Sequence, residues 1–298
     1  MESETYYDDF IKAGEIAAKA REFSKTLVKP GAKILDIANK VEDKIRELGG
    51  VPGFPVNTSL NEVAAHYAPV PNDETILKDQ VIKVDIGTSY NGAIGDTAYT
   101  VDLSGKYKDI VKASKEALLN VRKILAIGVN LGEIGKTIQE TIESYGLTPI
   151  KNLSGHGLGE YSVHESPQIP NVDTHNKTEL KKGQTIAIEP FATNGHGMIK
   201  ESSRAMIFSQ IASRPLRNPF SRKVQTEINS YKGLPFTTRW LSDKFGEGRT
   251  RLALRDLLMI NNIREYPPLP EVKGGIVSQA EHSFLIDDKV ITTTEHKE

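Results

Sequence analysis

The chain of 298 residues contains no cysteine, which excludes disulfides, thiolate metal ligands and a cysteine nucleophile. It also has no apolar run approaching the ~20 residues needed to cross a bilayer. The first ten residues, MESETYYDDF, are acidic and lack the basic and apolar regions of a secretory signal. A cytoplasmic protein without a membrane partner is the simplest reading. Flexible linkers and low-complexity tracts are missing, as is an excess of either charge: the net value is −1, with no global signal for nucleic acid. What remains, at 38% hydrophobic and 26% charged residues, is an ordinary globular composition. The chain is long enough for one large domain or two smaller ones.

Residues 81–100, VIKVDIGTSYNGAIGDTAYT, read as two strands around a turn at Ser89-Tyr90-Asn91-Gly92, because Asn-Gly is a strong hairpin signal. Asp85 and Asp96 lie symmetrically about Tyr90-Asn91. That symmetry predicts that they face each other directly on one side of the ladder, with Cβ atoms ~5 Å apart. Like charges in that position destabilise the pair unless something positive lies between them. Either both point into water, with Ile82, Val84 and Ile86 supplying the buried face, or they are two metal ligands.

Apolar groups at Phe10, Ala13, Ile16, Ala17, Ala20, Phe23 and Leu27 predict a helix over 5–28, and Pro30-Gly31 follows. Ile34, Ile37, Val41 and Ile45 mark a second helix stopped by Gly49-Gly50. After the hairpin the pattern recurs: a helix over 106–127, a break at Gly128, and a second helix ending at Gly146. At a constant offset of 97, Gly31 pairs with Gly128, Ile34 with Leu131, Ile37 with Ile134, Val41 with Ile138, Ile45 with Ile142 and Gly49 with Gly146. Any two amphipathic helices share a phase by chance, but shared glycine stops as well favour an internal duplication. A duplicated second half should then deliver strands to the same centre. Residues 150–156, 184–189 and 276–286 read as those strands. They carry His156 in GHGLG, Glu189 before Pro190, and Glu281.

Residues 209–265 differ in character. They contain breaks at Pro215, Pro219, Gly233, Pro235, Gly246 and Gly248, and helix-like pieces at 221–232, 237–245 and 249–262. Residues 211–265 hold eleven Lys and Arg against five Asp and Glu, a local charge of +6, so the remainder carries −7. This reads as a small basic helical subdomain, winged-helix-like, inserted in a surface loop of a catalytic domain made of residues 1–208 and 266–298. Its basicity serves either solubility or a binding face.

Asp85, Asp96, His156, Glu189 and Glu281 form a hard, oxygen-rich donor set suited to Mn, Fe, Co or Zn rather than to a structural zinc site. Four carboxylates are excessive for one ion. Two divalent ions about 3–4 Å apart with a bridging water balance the charge better and support hydrolysis. Pattern alone leaves chance placement open.

NEVAAHYAP (61–69), KVDIGTSYNGAIGDTAYTV (83–101), GHGLGEYSVHESPQIPN (155–171), IAIEPFATNGHG (186–197) and SQAEHSFLI (278–286) together resemble the motifs of the methionine aminopeptidases, in that family's order. The insertion, GFPVN (53–57) and YPPLP (266–270) point to the type 2 subclass, although GHGLGEYSVHES is closer to type 1 wording. The early start of the motif order resembles the short archaeal form. The resemblance implies an α+β pseudo-twofold pita-bread (creatinase/aminopeptidase) fold carrying the inserted helical subdomain.

It further implies that Asp85 binds one metal ion and that Asp96 and Glu281 bridge two. His156 and Glu189 would complete the second site, with Glu189 also the general base. His66 and His164 would contact the substrate amide and the tetrahedral intermediate. Phe54, Val163, Phe191, Tyr266 and Leu269 would line an apolar methionine pocket. The implied activity is removal of the initiator methionine from nascent chains with a small second residue, with two divalent ions (Co, Mn, Fe or Zn) as cofactor. The partners expected are polypeptide N-termini, and a ribosome contact through the insert. A monomer is expected. His282 should be structural, His196 is a candidate for the pocket rim only, and His175 and His296 belong to a surface loop and the tail. An aminopeptidase P or prolidase shares fold and ligands but usually carries a large domain ahead of the metal half. A non-catalytic binding protein on this fold would have lost ligands that here are intact.

Overall fold

The computed structural model describes residues 4–202 and 204–296. The helical periodicity of the first half forms α1 (Glu4–Leu27) and α2 (Ile34–Glu47), and that of the second forms α3 (Lys108–Ile124) and α4 (Leu131–Glu143). α1 and α2 bury Ile16, Ala20, Ile34, Ile37, Val41 and Ile45 against Val84 and Ile86 of the first-half sheet. α3 and α4 bury Ala117, Val121, Ile134, Ile138 and Ile142 against Ile186, Ile188 and Phe284 of the second. Each fully buried aliphatic contributes roughly 1.5–3 kcal/mol of transfer free energy.

The duplication is visible in the backbone. Gly31 and Gly128 take φ of 87° and 89°, and the stops Gly49 and Gly146 take 89° and 69°, all left-handed. Gly31 N donates to the Leu77 carbonyl at 2.8 Å, and Gly128 N donates to that of Leu180 at 2.9 Å. Lys33 bridges to Ile76, and Asn130, 97 residues later, bridges to Glu179. The same turn, entered through the same hydrogen bonds, launches α2 and α4.

The first-half hairpin, Val81–Tyr90 with Ala93–Asp102, is flanked by the short strands Val51–Pro52 and Asn57–Leu60. The second half forms a five-stranded antiparallel sheet in the order Ile291–Thr292, His282–Leu285, Thr185–Ile188, Ser154–Gly159 and Ser162–Pro170. A three-stranded sheet sits beside it, made of Val277–Gln279, Phe191–Thr193 and Thr148–Pro149.

Two strand readings need correction. The continuous strand expected over 276–286 is two strands in different sheets: Val277–Gln279 pairs with Phe191–Thr193, and His282–Leu285 with Thr185–Ile188. Pro190 interrupts the partner strand at the same level, since it cannot donate to a ladder, and Ala280 N bonds the Pro190 carbonyl at 3.2 Å. The strand expected from residue 150 begins at Ser154. Asn152 turns aside instead, with Nδ2 donating to the Ile199 carbonyl and Oδ1 accepting from Ile199 N.

Within residues 207–266 lie α5 (Pro219–Asn229), α6 (Thr238–Phe245) and α7 (Glu247–Met259). They pack on a three-stranded sheet of Phe236–Thr237, Ile207–Gln210 and Ile263–Tyr266. Phe208, Val224, Ile228, Phe236, Leu241, Leu254 and Leu257 form a core of their own. Ile207 pairs with Tyr266, so the insertion enters and leaves on neighbouring antiparallel strands.

A buried ion pair ties the insertion to α2. Arg239 Nη1 and Nη2 donate to Glu42 Oε2 and Oε1 at 2.8 and 2.7 Å. Arg239 Nη1 also donates to Asn39 Oδ1, and Trp240 Nε1 to Glu42 Oε2, both at 2.7 Å. Glu42 Oε1 accepts in addition from Val56 N at 3.2 Å. One carboxylate therefore holds both the insertion and the 53–57 loop. Among the described residues no helix is long and apolar enough to cross a membrane.

Candidate metal centre

Hydrogen bonds between the two halves assemble the centre. Ser283 Oγ donates to the Asp96 carbonyl and accepts from Asp96 N, each at 2.8 Å. Glu281 N donates to the Ala98 carbonyl at 3.0 Å. Thr100 Oγ1 accepts from Gln279 N at 2.8 Å and donates to the Gln279 carbonyl at 2.7 Å. The hairpin carrying Asp85 and Asp96 is thus fixed against the broken strand carrying Glu281. Glu189 and Glu281 both occupy the gap where the strands change sheets, which frees their side chains from a continuous ladder.

Asp85 and Asp96 do not face each other directly. Tyr90 pairs with Ala93, so the turn is the two-residue loop Asn91-Gly92, with φ of 51° and 98°. This is the doubly left-handed turn that suits hairpin twist. The axis lies one residue later than the sequence symmetry suggested. Asp85 therefore opposes Ala98 and Asp96 opposes Gly87. The carboxylates remain on one face as diagonal neighbours, roughly 7–8 Å apart at Cα, with room for cations between them.

A cavity of about 200 Å³ takes in Asp85, Asp96, His156, Glu189, Glu281, His66 and His164, with Phe54, Val163, Phe191 and Tyr266 in its wall. Leu269 is not part of the lining. It is buried behind the wall, where its N–H bonds the Ala65 carbonyl and its carbonyl accepts from Ala64 N. His196 is exposed and outside the lining. His282 points away from the centre and holds Thr294 Oγ1 at 2.8 Å and Arg21 Nη1 at 3.2 Å. His175 lies on the surface beside Asp173, and His296 is exposed as well.

Ligand atoms of Asp96, His156 and Glu281 lie within 4.8 Å of one another. His156 Nε2 is 3.9 Å from Asp96 Oδ2 and 3.6 Å from Glu189 Oε1. His156 Nδ1 lies 3.1 Å from the Gly157 carbonyl. A carbonyl only accepts, so the proton sits on Nδ1 and Nε2 presents its lone pair to the carboxylates. Burial, then neighbouring His164, holds His156 down to about 3, so the imidazole is neutral and able to ligate.

Burial pushes Asp85 up to about 7. Asp96, Glu189 and Glu281 are driven well above the usual carboxylate range, first by burial and then by neighbouring carboxylate charge, that of Asp85 foremost for Asp96 and Glu189. Asp85 Oδ1 and Asp96 Oδ1 are buried without a hydrogen-bond partner. Crowded carboxylates with unpartnered oxygens beside a neutral imidazole are what divalent cations relieve, so this donor set fits Mn, Fe, Co or Zn.

His66 is held down to about 4 by burial and then by His164, in a left-handed backbone of φ 65°. Its ring stands edge-on to Tyr266 at 5.6 Å. His164, more open to the cavity, is lowered by its enclosing walls and then by the Arg264 guanidinium. Its ring stacks on Tyr266 at 6.1 Å and meets His156 edge-on at 4.6 Å.

Two neutral amides escaped sequence reasoning. Gln279 Nε2 sits 3.5, 3.3 and 3.4 Å from Asp85 Oδ2, Glu189 Oε2 and Glu281 Oε2, an uncharged donor among three carboxylates. Its position two residues before Glu281 was the available signal. Asn57 opposes Asp85 in the ladder and lines the cavity.

The profile of metallopeptidase family M24 matches residues 8–212, and the chain belongs to that family. Within it, the chain is similar over nearly its whole length to the methionine aminopeptidases. It is 48% identical over 290 residues to the methionine aminopeptidase of Methanocaldococcus jannaschii, covering 97% of this chain and 98% of that one. It is 34% identical to methionine aminopeptidase 2 of Komagataella phaffii, covering 97% of this chain and 69% of that longer one. Among solved structures, a thermophilic Arx1 shares the fold at a TM-score of 0.86 and 17% identity, covering 98% of this chain and 91% of that one. The chain is accordingly a metal-dependent aminopeptidase of the pita-bread fold, with divalent cations as its cofactor.

Proposed function

We propose that this chain is a cytoplasmic, monomeric enzyme that removes the N-terminal methionine from nascent proteins whose second residue is small, using two divalent ions. One observation carries the reading: four carboxylates and a neutral imidazole open into the same small cavity as an apolar wall. Asp85 would hold one ion, Asp96 and Glu281 both, and His156 and Glu189 the second. Ions held there would supply Lewis acidity towards the scissile carbonyl and lower the pKa of bound water.

Phe54, Val163, Phe191 and Tyr266 pack around the thioether, which offers little to hydrogen-bond. At about 200 Å³ the cavity is smaller than the roughly 300–1,000 Å³ of whole-ligand sites, which suits a single side chain. Glu189 takes a proton from the attacking water and delivers it to the leaving amine as the C–N bond breaks. His66 and His164, neutral near pH 7, contact the substrate amide and the oxyanion that develops on its carbonyl.

The test is methionine release from a Met-Ala-Ser peptide by metal-free protein with Mn(II) or Co(II) added back. A Gly-Pro dipeptide and the Glu189→Gln variant run alongside. Metal-dependent release that falls roughly 10²–10⁴-fold in the variant is expected. Turnover of Gly-Pro alone would move the chain to the prolidase branch. No turnover of either with metal bound would leave a binding protein.

Arg249, Arg251 and Arg255 are exposed on α7 beside exposed Leu252 and Met259. We propose this face as the ribosome contact of the basic insertion. Co-sedimentation with ribosomes that weakens with salt, and is lost on reversing the three arginines to glutamate, is expected. Salt-insensitive or absent association refutes it.

A further inference from the structure

An aminopeptidase must recognise a free α-amino group, and beside the metal centre a neutral side chain can accept a hydrogen bond from it. We propose that Asn57 Oδ1 is the acceptor for that amine. The inference rests on the aminopeptidase reading above.

Asn57 is 3% exposed. Its Nδ2 donates to the Pro55 carbonyl at 2.8 Å. Turning the amide over would set two acceptors against each other, so Pro55 fixes which end faces inward. The other end, Oδ1, is buried with no hydrogen-bond partner, a status it shares with Asp85 Oδ1, Asp96 Oδ1 and His66 Nδ1 around the same cavity. A buried carbonyl oxygen left unpaired loses its hydration without compensation, and such an oxygen at a binding site awaits a donor from the ligand.

The position specifies the donor. Asn57 directly opposes Asp85 across the ladder, so the two side chains share a face with Cβ atoms ~5 Å apart. Three residues earlier in the same loop, Phe54 forms part of the apolar wall. Asn57 therefore stands between the site for the substrate side chain and the first carboxylate of the metal set. The substrate atom between a packed side chain and a scissile carbonyl is the α-carbon, and its amine is the one group there that can only approach Oδ1 as a donor. As a neutral acceptor, Asn57 adds no fifth negative charge to a centre that already has four.

The test uses the Mn(II)-loaded enzyme and two ligands differing only in the amine: L-methionine and 4-(methylthio)butanoic acid. Binding of each is measured by calorimetry for wild type, Asn57→Ala and Asn57→Ser, with manganese content per chain measured in parallel. Wild type should prefer methionine. In Asn57→Ala that preference should shrink about tenfold or more, the expected size for a hydrogen bond from a charged donor, while binding of the deaminated ligand and manganese content stay unchanged. Asn57→Ser, whose hydroxyl can still donate towards the Pro55 carbonyl but which lacks Oδ1, should lose the preference in the same way, and it carries the test if the alanine variant fails to fold.

An undiminished preference in Asn57→Ala, or in folded Asn57→Ser, overturns the inference alone. Weakened manganese binding in Asn57→Ala would make Oδ1 a metal donor and overturn it as well. A wild-type enzyme that binds neither ligand and releases no methionine overturns the functional reading and this inference with it.

Discussion

A single missing methyl group shapes the apolar wall of the cavity. A Cβ at Gly87 would land inside the Phe54 ring, and Gly53 N donates to the Gly87 carbonyl at 2.9 Å, so the wall-bearing loop lies flat on the hairpin where a side chain is absent. Gly87→Ala should displace Phe54, raising KM for methionyl peptides with kcat little changed, at a cost of about 1–3 kcal/mol for overpacking. Steady-state kinetics and a urea melt check both. Residue by residue, the charged members of the centre could be read from the chain because a carboxylate or imidazole on a buried strand demands an explanation. Asn57 and Gln279 make no such demand. Their importance appears only through strand register and through an oxygen with no partner, both properties of the folded chain. The offset between Asp85 and Asp96 was misread for a related reason, since a turn centred on Asn91-Gly92 is decided by the left-handed φ that both positions adopt.

The Glu42–Arg239 pair sets the behaviour of the insertion as an element. Glu42→Ala would leave the Arg239 guanidinium buried and uncompensated, which typically costs about 3–5 kcal/mol. Replacing both partners with methionine should recover most of that stability, because the desolvation penalty disappears with the charges. Chemical unfolding of the two variants distinguishes these outcomes. Both should raise KM, since Val56 N loses its carboxylate acceptor and the loop bearing Phe54 and Asn57 loosens. Helices were readable as elements because their apolar spacing and glycine stops are local. This pair was not, since its partners lie 197 residues apart. The break in 276–286 was equally invisible, because its origin is Pro190 in another strand.

In the whole molecule, the metal set is divided between the duplicated halves: Asp85 and Asp96 belong to the first, and His156, Glu189 and Glu281 to the second. All four carboxylates have folded-state proton affinities above their unfolded values. The stability of metal-free protein is therefore fully present below the unfolded carboxylate range and is lost as pH rises through the folded values, about 7 for Asp85. Its Tm should fall between about pH 5 and 8, whereas Mn(II) should bind more tightly over the same range, release protons and restore the Tm. Calorimetry of chelated and reloaded protein tests the sign, and a pH-independent gap between the two refutes it. The duplication was readable from six matched positions because it lies in glycines and apolar spacing, which survive divergence for packing reasons.

The insertion also builds part of the catalytic chamber. Ile207 and Tyr266, on its two base strands, and Pro235 within it all line the cavity. A compound pressed against those three side chains would touch the insertion as well as the catalytic domain, so its affinity should respond to changes in the insertion that leave every metal ligand untouched.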